Sequence, residues 1–486
     1  MKRIIILIVL GAILAGARAQ EPKREVRAAW VTAVYGLDWP RTRANSAAGI
    51  EKQKQELIDI LDRLKEANFN TVLFQTRTRG DVLYASDIEP YNSILTGKVD
   101  GNPGYDPLAF AVEECHKRGM ECHAWMVTIP LGNRKHVAAL KGKSVTKKRP
   151  AITAAYKREY FLNPGHPETK EYLMSLVREV VERYDVDGVH FDYLRYPEYA
   201  RNFPDRTLYR RYGAGRTLEQ WRRDNISEIV RHIYKGVKAL KPWVKVSSSP
   251  VGKYDDTSRY PSRGWNALRS VHQDVQGWLA EGIQDQIYPM MYFRGNSFYP
   301  FALDWQEQSN GRQVVPGLGI YFLDSKEGDW PIEEIERQLN FCRANGLAGH
   351  AHYRVKYLMD DVKGLYGKLA ETYYPTPALT PAMPWIDSEA PTAPTALHID
   401  AVADGYWKLS WQASRDNDTQ NAPRYNIYAS NTHPVDTTNP ANLVAQNVRG
   451  TAFIYAPLYP WERKRFFAVT AMDRCGNESE ASEAVR

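Results

Sequence analysis

Short apolar runs alternate with longer stretches of helical periodicity along most of the chain. The runs predict eight strands, at residues 26–34, 70–76, 121–126, 188–192, 244–248, 286–292, 314–319 and 347–352. The stretches between them predict helices at residues 52–67, 108–118, 167–184, 218–240, 271–281, 301–309 and 332–345, with a last helix ending near residue 369. Eight such alternations predict an α/β fold, a (β/α)8 TIM barrel. A doubly wound open sheet is the alternative, but no glycine-rich phosphate loop follows an early strand.

The pattern changes after residue 370. Residues 371–390 form a predicted linker, because its prolines exclude a helix and make a semi-rigid spacer. Beyond it, short apolar runs at residues 407–411, 424–430, 453–455 and 465–472 are separated by turn-rich gaps. This spacing predicts a small all-β, immunoglobulin-like sandwich over residues 391–486.

The first 19 residues have the composition of a secretory signal. Lys2 and Arg3 precede an apolar run at residues 4–14, and Ala17-Arg18-Ala19 forms a small-x-small cleavage site. No other segment has an apolar run long enough to span a bilayer. We therefore expect residues 20–370 to form the barrel of an exported protein without a membrane span, found in the periplasm, at the cell surface or outside the cell.

Composition narrows the function further. The net charge of +7 is modest for 486 residues, and no dense block of Lys and Arg dominates, which disfavours nucleic acid as a partner. The four cysteines lack metal-ligand spacing, and Cys115 and Cys122 are predicted to be buried free thiols. His350 and His352 could form an inward pair, but no acidic ligand stands beside them. We therefore predict neither a metal site nor a cofactor. Oligomeric state has no signal in the sequence.

The strongest candidate for chemistry is Asp192, at the end of the fourth predicted strand. Alternation places Gly188, His190 and Asp192 on one face of that strand. A carboxylate there is costly to bury unless it is paired or near water, and the carboxyl rim of such a barrel holds catalytic residues. The structural alternative is that Asp192 caps the following loop or pairs with Arg195.

Other polar and aromatic residues fall near the same predicted rim. On the second strand, alternation places Leu73, Gln75 and Arg77 on one face, although Arg77 could simply pair with Asp81. A hydrogen-bonded core role is the alternative for His123, and packing is the alternative for the aromatic residues. The predicted substrate-binding residues are Gln75, Arg77, His123, Trp125, His190, Tyr193, Arg195, Tyr288 and Tyr292.

Hydrolysis of a glycosidic bond requires two carboxyl groups, one on each side of the bond. Asp192 is the predicted nucleophile or base. Asp81 is its predicted partner, taken from a group of loop carboxylates that the sequence does not rank: Asp81, Glu198, Asp255, Asp256 and Asp324.

Six stretches together resemble the bacterial glycosyl-hydrolase-like family 10, a group of exported TIM-barrel proteins. They are EVRAAWVT (25–32), FNTVLFQTR (69–77) with Gly80 and Asp81, GYDPL (104–108), HAWM (123–126), LNP (162–164) and DGVHFDYLRYP (187–197). The resemblance implies a sugar-polymer substrate, with peptidoglycan glycan strands as one expected class. The tail, with LSW (409–411), YNIY (425–428) and AVTAMD (468–473), resembles a fibronectin type III module.

The leading hypothesis is therefore an exported glycoside hydrolase that acts on a polymeric glycan. Two alternatives remain at this point: a carbohydrate-binding barrel without catalysis, and a surface adhesion protein built around the C-terminal module.

Overall fold

The computed structural model describes residues 21–486 except 260–263, 403–404, 418–420, 458–461 and 463–464. The predicted signal peptide, residues 1–19, lies outside the described residues. Among the described helices, none combines the length and the apolar character needed to cross a membrane.

The first three quarters of the chain alternate strands and helices, as the sequence predicts. The strands are β1 (Val26–Val31), β2 (Thr71–Arg77), β3 (Glu121–Val127), β4 (Pro130–Asn133), β5 (Thr153–Tyr156), β6 (Glu159–Leu162), β7 (Gly188–Asp192), β8 (Lys245–Ser249), β9 (Gln286–Ile287), β10 (Met290–Met291), β11 (Gln313–Val314), β12 (Gly317–Leu318) and β13 (Gly349–His352). The α-helices are Ala47–Glu66, Pro107–Lys117, Arg134–Ala139, Val145–Lys148, Glu168–Arg183, Arg206–Tyr212, Leu218–Leu240, Ala267–Ser270, Val275–Glu281, Tyr299–Glu307, Ile332–Ala344, Val355–Met359 and Leu365–Lys368.

The parallel strands close into a ring. β1, β2, β3, β7, β8 and β9 pair in that order, β9 pairs with β11, β12 pairs with β13, and β13 pairs with β1. The sixth and seventh barrel strands are each split in two, at Pro289 and Pro316, because proline has no N–H to donate to a ladder. The predicted barrel is confirmed.

Alternation along the strands separates two apolar cores. Inward residues such as Trp30, Leu73 and Ala351 fill the barrel, and outward residues join the larger core beneath the helices. The inward histidine pair considered above is not formed. His350 and His352 flank the inward Ala351 and face outward, where His352 Nε2 lies 2.9 Å from the hydroxyl of Tyr374.

The long connection after β3 adds a small antiparallel sheet to the carboxyl rim of the barrel. Its strands β4, β6 and β5 pair in that order. This sheet matters for the function, because the β5–β6 hairpin forms one wall of the cavity described below.

The C-terminal module contains β14 (Thr395–Ala401), β15 (Trp407–Gln412), β16 (Arg424–Ser430), β17 (Leu443–Val448), β18 (Ala452–Tyr455) and β19 (Phe466–Met472). They form two antiparallel sheets, β14-β15-β18 and β17-β16-β19, which share one apolar core that includes Trp411, Tyr425 and Phe467. The predicted small all-β fold is confirmed, and its fibronectin type III character stays a prediction.

The proline-rich segment differs from the predicted spacer, because residues 374–383 lie along the amino-terminal end of the barrel. Asn70 Nδ2 donates to the Ala378 carbonyl at 2.9 Å, and Gln313 Nε2 donates to the Ala382 carbonyl at 2.9 Å. Leu379 and Met383 are buried. The prolines exclude a helix after Tyr374 as expected, but barrel groups satisfy the extended backbone and hold it in place.

Ion pairs join the C-terminal module to the same end of the barrel. Asp187, the residue before β7, accepts a hydrogen bond from Arg424 Nη2 at 3.0 Å, and its other carboxylate oxygen lies 2.7 Å from His116 Nε2. Burial alone would raise the pKa of Asp187, but His116 and Arg424 hold it well below its ordinary value. The module therefore covers the rim opposite to Asp192, roughly 16 Å away at about 3.3 Å per strand residue.

Replacing Arg424 with Gln should weaken this attachment. The change leaves the buried Asp187 carboxylate with one cation fewer, so we expect the free energy of unfolding to fall by about 1–3 kcal/mol. Arg178→Gln is the matched control, because Arg178 is half exposed and pairs with the half-exposed Glu182 away from this attachment. Its loss should cost less than about 1 kcal/mol. Urea denaturation measures both, and equal small effects would contradict the role given to Arg424.

Candidate active site

Asp192 is the last residue of β7, between Val127 and Ser249 on the neighbouring strands. It is 7% exposed and lines a cavity of about 600 Å³ at the carboxyl rim of the barrel. The backbone N–H of Tyr193 donates to its Oδ1 at 2.8 Å, and Trp125 Nε1 donates to its Oδ2 at 3.3 Å. The carboxylate is thus held in one orientation with access to a cavity large enough for sugar rings.

Burial is the main influence on the protonation of this carboxyl group. Removal from water raises the pKa of Asp192, although the Tyr193 amide and the Arg195 guanidinium oppose the rise. A carboxyl group whose pKa is shifted upward, toward neutral pH, exchanges protons more effectively at physiological pH than an ordinary aspartate does.

Five of the predicted site residues line this cavity: Gln75, Trp125, Asp192, Tyr193 and Arg195. Gln75 supports the wall, because its Oε1 accepts hydrogen bonds from the N–H groups of Ala33 and Val34, at 2.9 and 2.7 Å. Tyr193 is 40% exposed and presents its ring to the opening.

Arg77 does not line the cavity, because the pairing of β2 with β3 shifts after Gln75. This irregularity aligns Arg77 with the outward Met126 and removes it from the inward face on which strict alternation places it. Arg77 instead forms a buried bidentate ion pair with Glu89, with two N–O distances of 2.7 Å. The prediction that Arg77 lies on the inward face is therefore wrong, and the partner of Arg77 is Glu89 rather than Asp81.

Three further predicted residues lie deeper in the barrel, below the cavity. His123 Nε2 lies 2.9 Å from Glu121, at the opposite end of β3. His190 lies between Trp30 Nε1, at 3.3 Å, and the Ser247 hydroxyl. The ring of Tyr288 lies 5.1 Å from that of His190, and its hydroxyl donates to Gln286. Each of the three is held by its own hydrogen-bond partner inside the barrel, and none of them lines the cavity.

Two more predicted residues lie close to the cavity without lining it. Tyr292 stacks on Tyr353, a lining residue, with ring centroids 5.2 Å apart. Asp81 is buried in its own loop, where it accepts hydrogen bonds from the Thr78 hydroxyl and the Arg79 N–H.

Sequence reasoning missed the hairpin wall, which contributes Tyr156, Lys157, Arg158, Glu159 and Phe161 to the lining. A signal for it exists: two short runs flank the polar pair Lys157-Arg158, which is typical of a hairpin with a two-residue turn. Both runs lie within residues 127–166, for which the sequence pattern predicts neither a strand nor a helix.

Among the described residues, three carboxylates line the cavity: Asp192, Glu159 and Glu198. Of the loop carboxylates considered as partners of Asp192, only Glu198 is among them. Glu198 lies 3.7 Å from Arg195, Glu159 lies 3.3 Å from Arg79, and both carboxylates are partly exposed. Within the described ranges, no group of three or more His, Cys, Asp or Glu is arranged to hold a metal ion.

A closed (β/α)8 barrel with an oriented carboxylate at its carboxyl rim is an arrangement that glycosyl hydrolases use. The comparisons with known proteins agree with that class. A family model described as Glycosyl hydrolase-like 10 matches residues 25–322, and the chain belongs to this family.

Named relatives extend the match over most of the chain. The chain is 31% identical to the glycosyl hydrolase YngK of Bacillus subtilis (strain 168), over 99% of this chain and 98% of that protein. It is 32% identical to the glycosyl hydrolase DigH of Escherichia coli (strain K12), over 70% of this chain and 85% of that protein. The PgaB (BpsB) glycoside hydrolase domain of Bordetella bronchiseptica aligns with a TM-score of 0.48 and 14% identity, over 70% of this chain and 98% of that domain. The family match and the two relatives YngK and DigH confirm the prediction of a glycosyl hydrolase at the level of class.

Proposed function

We propose that the protein hydrolyses glycosidic bonds in a polymeric glycan, with Asp192 as a catalytic carboxylate. The observation that carries the proposal is the position of Asp192: buried, oriented by Trp125 and the Tyr193 N–H, and open to a cavity of about 600 Å³. Family membership supports the reaction class.

In this proposal Asp192 acts in its ionised form, either as the nucleophile that attacks the anomeric carbon or as the base that takes a proton from the water attacking that carbon. The second carboxyl group protonates the departing sugar oxygen, as glycoside hydrolysis requires. Glu198 and Glu159 are the candidates for this second role, because they share the cavity with Asp192, whereas Asp81 does not line it. Glu198→Gln and Glu159→Gln separate the two, since only the acid's replacement should be relieved by a substrate with a good leaving group.

The substrate we propose is the glycan of the bacterial cell wall. Its support is the predicted export signal, which would bring the protein to that polymer, and a cavity lined by tyrosine, tryptophan and arginine side chains. Aromatic faces and charged donors are the groups that bind sugar rings and their substituents.

Release of new reducing ends from purified cell-wall glycan, with and without peptide stems, tests this proposal. Plant and host polysaccharides serve as parallel substrates. We expect release from cell-wall glycan above all, and none from protein inactivated by boiling. Affinity for a glycan without any release of reducing ends would instead indicate a carbohydrate-binding barrel.

The pH dependence of kcat/KM should report the environment of Asp192. The ionised form is needed in our proposal, so activity falls as the pH drops through the pKa of this group. Because burial raises that pKa, the acid limb should lie above about 3.9, the ordinary value for aspartate. A pH–rate profile on a soluble oligosaccharide measures it, and an acid limb at or below the ordinary value would contradict the assignment.

A further inference from the structure

Arg195 has a buried guanidinium group that the protein itself leaves incompletely bonded. Its side chain is 5% exposed and lines the same cavity as Asp192. Its Nε has no hydrogen-bond partner among the described residues. Its described ion pair, with Glu198, is 3.7 Å long, and the Glu198 side chain is 51% exposed. A buried cationic side chain with one donor left unsatisfied is costly, which indicates that another group completes the bonding of this guanidinium.

Aromatic rings hold this guanidinium in place. The Arg195 guanidinium carbon lies 4.7 Å from the ring centroid of Tyr193 and 5.6 Å from that of Trp265. Stacking of this kind fixes the plane of the group before a ligand arrives, so less conformational entropy is lost on binding.

The charge of the cavity indicates the kind of ligand. Its lining contains the cations Arg79, Lys157, Arg158 and Arg195, and the carboxylates Glu159, Asp192 and Glu198. A sugar hydroxyl could accept a hydrogen bond from Arg195 but would bring no negative charge to the guanidinium. A carboxylate would supply both an acceptor and a negative charge, because its two oxygens can accept two parallel hydrogen bonds from the guanidinium group.

We infer that Arg195 binds a carboxylate carried by a sugar of the substrate, which makes the substrate an acidic glycan. The inference rests on the proposed function and deepens it, since it assigns a chemical group on the substrate to one residue. Glu198, at 3.7 Å, is too far from Arg195 for a strong hydrogen bond and leaves room for a closer anion.

Binding to two forms of one ligand tests the inference. The probe is a peptide-free cell-wall oligosaccharide whose muramic acid carboxyl groups are either free or capped as methyl amides. Calorimetry uses the Asp192→Asn protein, so that the ligand is not consumed. We expect the free-carboxyl form to bind at least about tenfold more tightly, because hydrogen bonds to charged groups contribute that much.

Variants of Arg195 assign the preference to that side chain. Arg195→Gln in the same background should bind both forms with equal affinity. Arg195→Lys should keep part of the preference, because lysine retains the positive charge but lacks the paired N–H donors of the guanidinium group. Arg178→Gln is the control, since Arg178 lies half exposed on the helix Glu168–Arg183 and outside the cavity. The comparison of ligands needs no Arg195 variant, so it holds even if those variants fold poorly.

The outcomes separate this inference from the proposed function. Hydrolysis by the wild type with equal affinity for both ligand forms would overturn the acidic-glycan inference and leave the function standing. An Arg195-dependent preference without hydrolysis would support the inference and overturn the catalytic proposal. A preference that persists in Arg195→Gln would also overturn the inference, since other cations would then be responsible.

Discussion

Asp192→Asn should reduce the rate of glycan hydrolysis by about 10³-fold, the middle of the range for losing a general acid–base group. Asparagine keeps an oxygen for the Tyr193 N–H, so the loop should stay in place, but it cannot act as a base or as a nucleophile. Reducing-end release on cell-wall glycan measures the effect. Full activity in this variant would remove Asp192 from the mechanism.

The same variant should fold at least as well as the wild type. Because the pKa of Asp192 is raised in the folded state, its ionised form opposes folding at neutral pH. That cost is absent below the unfolded pKa and grows as the pH rises through the folded pKa. The neutral asparagine amide carries no such cost, so we expect the variant's Tm to exceed that of the wild type at pH 7 and to approach it in acid.

Asp255→Asn is the matched control for activity. Asp255 is another of the loop carboxylates, but it does not line the cavity and pairs with the exposed Arg269 at 2.9 Å. We expect hydrolysis within about twofold of the wild type, since exposed ion pairs contribute little to structure. Equal losses in both variants would mean that the assay reports a general effect of removing rim charge.

Glu89→Gln should produce the largest loss of stability, about 3–5 kcal/mol in the free energy of unfolding. Arg77 and Glu89 are both almost fully buried, and Arg77 also donates to the carbonyls of Val127 and Thr128. Removal of the negative partner leaves a cation in the interior without compensation. Urea denaturation followed by circular dichroism measures the change.

Glu182→Gln provides the comparison on the surface. Glu182 pairs with Arg178 one helical turn away, at 3.2 Å, and both side chains are half exposed. We expect a change below about 0.5 kcal/mol, typical of such pairs. A similarly small effect of Glu89→Gln would show that the Arg77–Glu89 pair does not stabilise the fold, and would reopen a role for Arg77 elsewhere.

Much of the barrel follows from the sequence, because its strands are buried on both faces and its helices bury one. Asp192 could be placed at the rim for the same reason: its strand is short, uninterrupted and strictly alternating. Trp125 and Gln75 also follow from alternation on regular strands. The face on which each of these residues lies follows from the alternation along its own strand, and that alternation can be read from a single sequence.

Residues whose positions depend on irregular backbone could not be predicted in this way. The pairing of β2 with β3 shifts after Gln75 and turns Arg77 away from the cavity. No residue type in that stretch indicates the shift. The β5–β6 hairpin reaches the site because the chain folds back over the rim. This placement depends on tertiary packing, which local periodicity does not describe. The partner of Asp192 stays open because it belongs to loops whose distances are set by such packing.

The opposed positions of the cavity and the C-terminal module have a practical consequence. The module occupies the amino-terminal end of the barrel, so a resin or surface attached through Arg486 would leave the cleft unobstructed. A cell-wall sacculus is far too large to diffuse into a crowded bed, yet it could be passed over protein immobilised in this orientation. Anchoring through the β5–β6 hairpin would instead place the support against the opening and exclude long polymers.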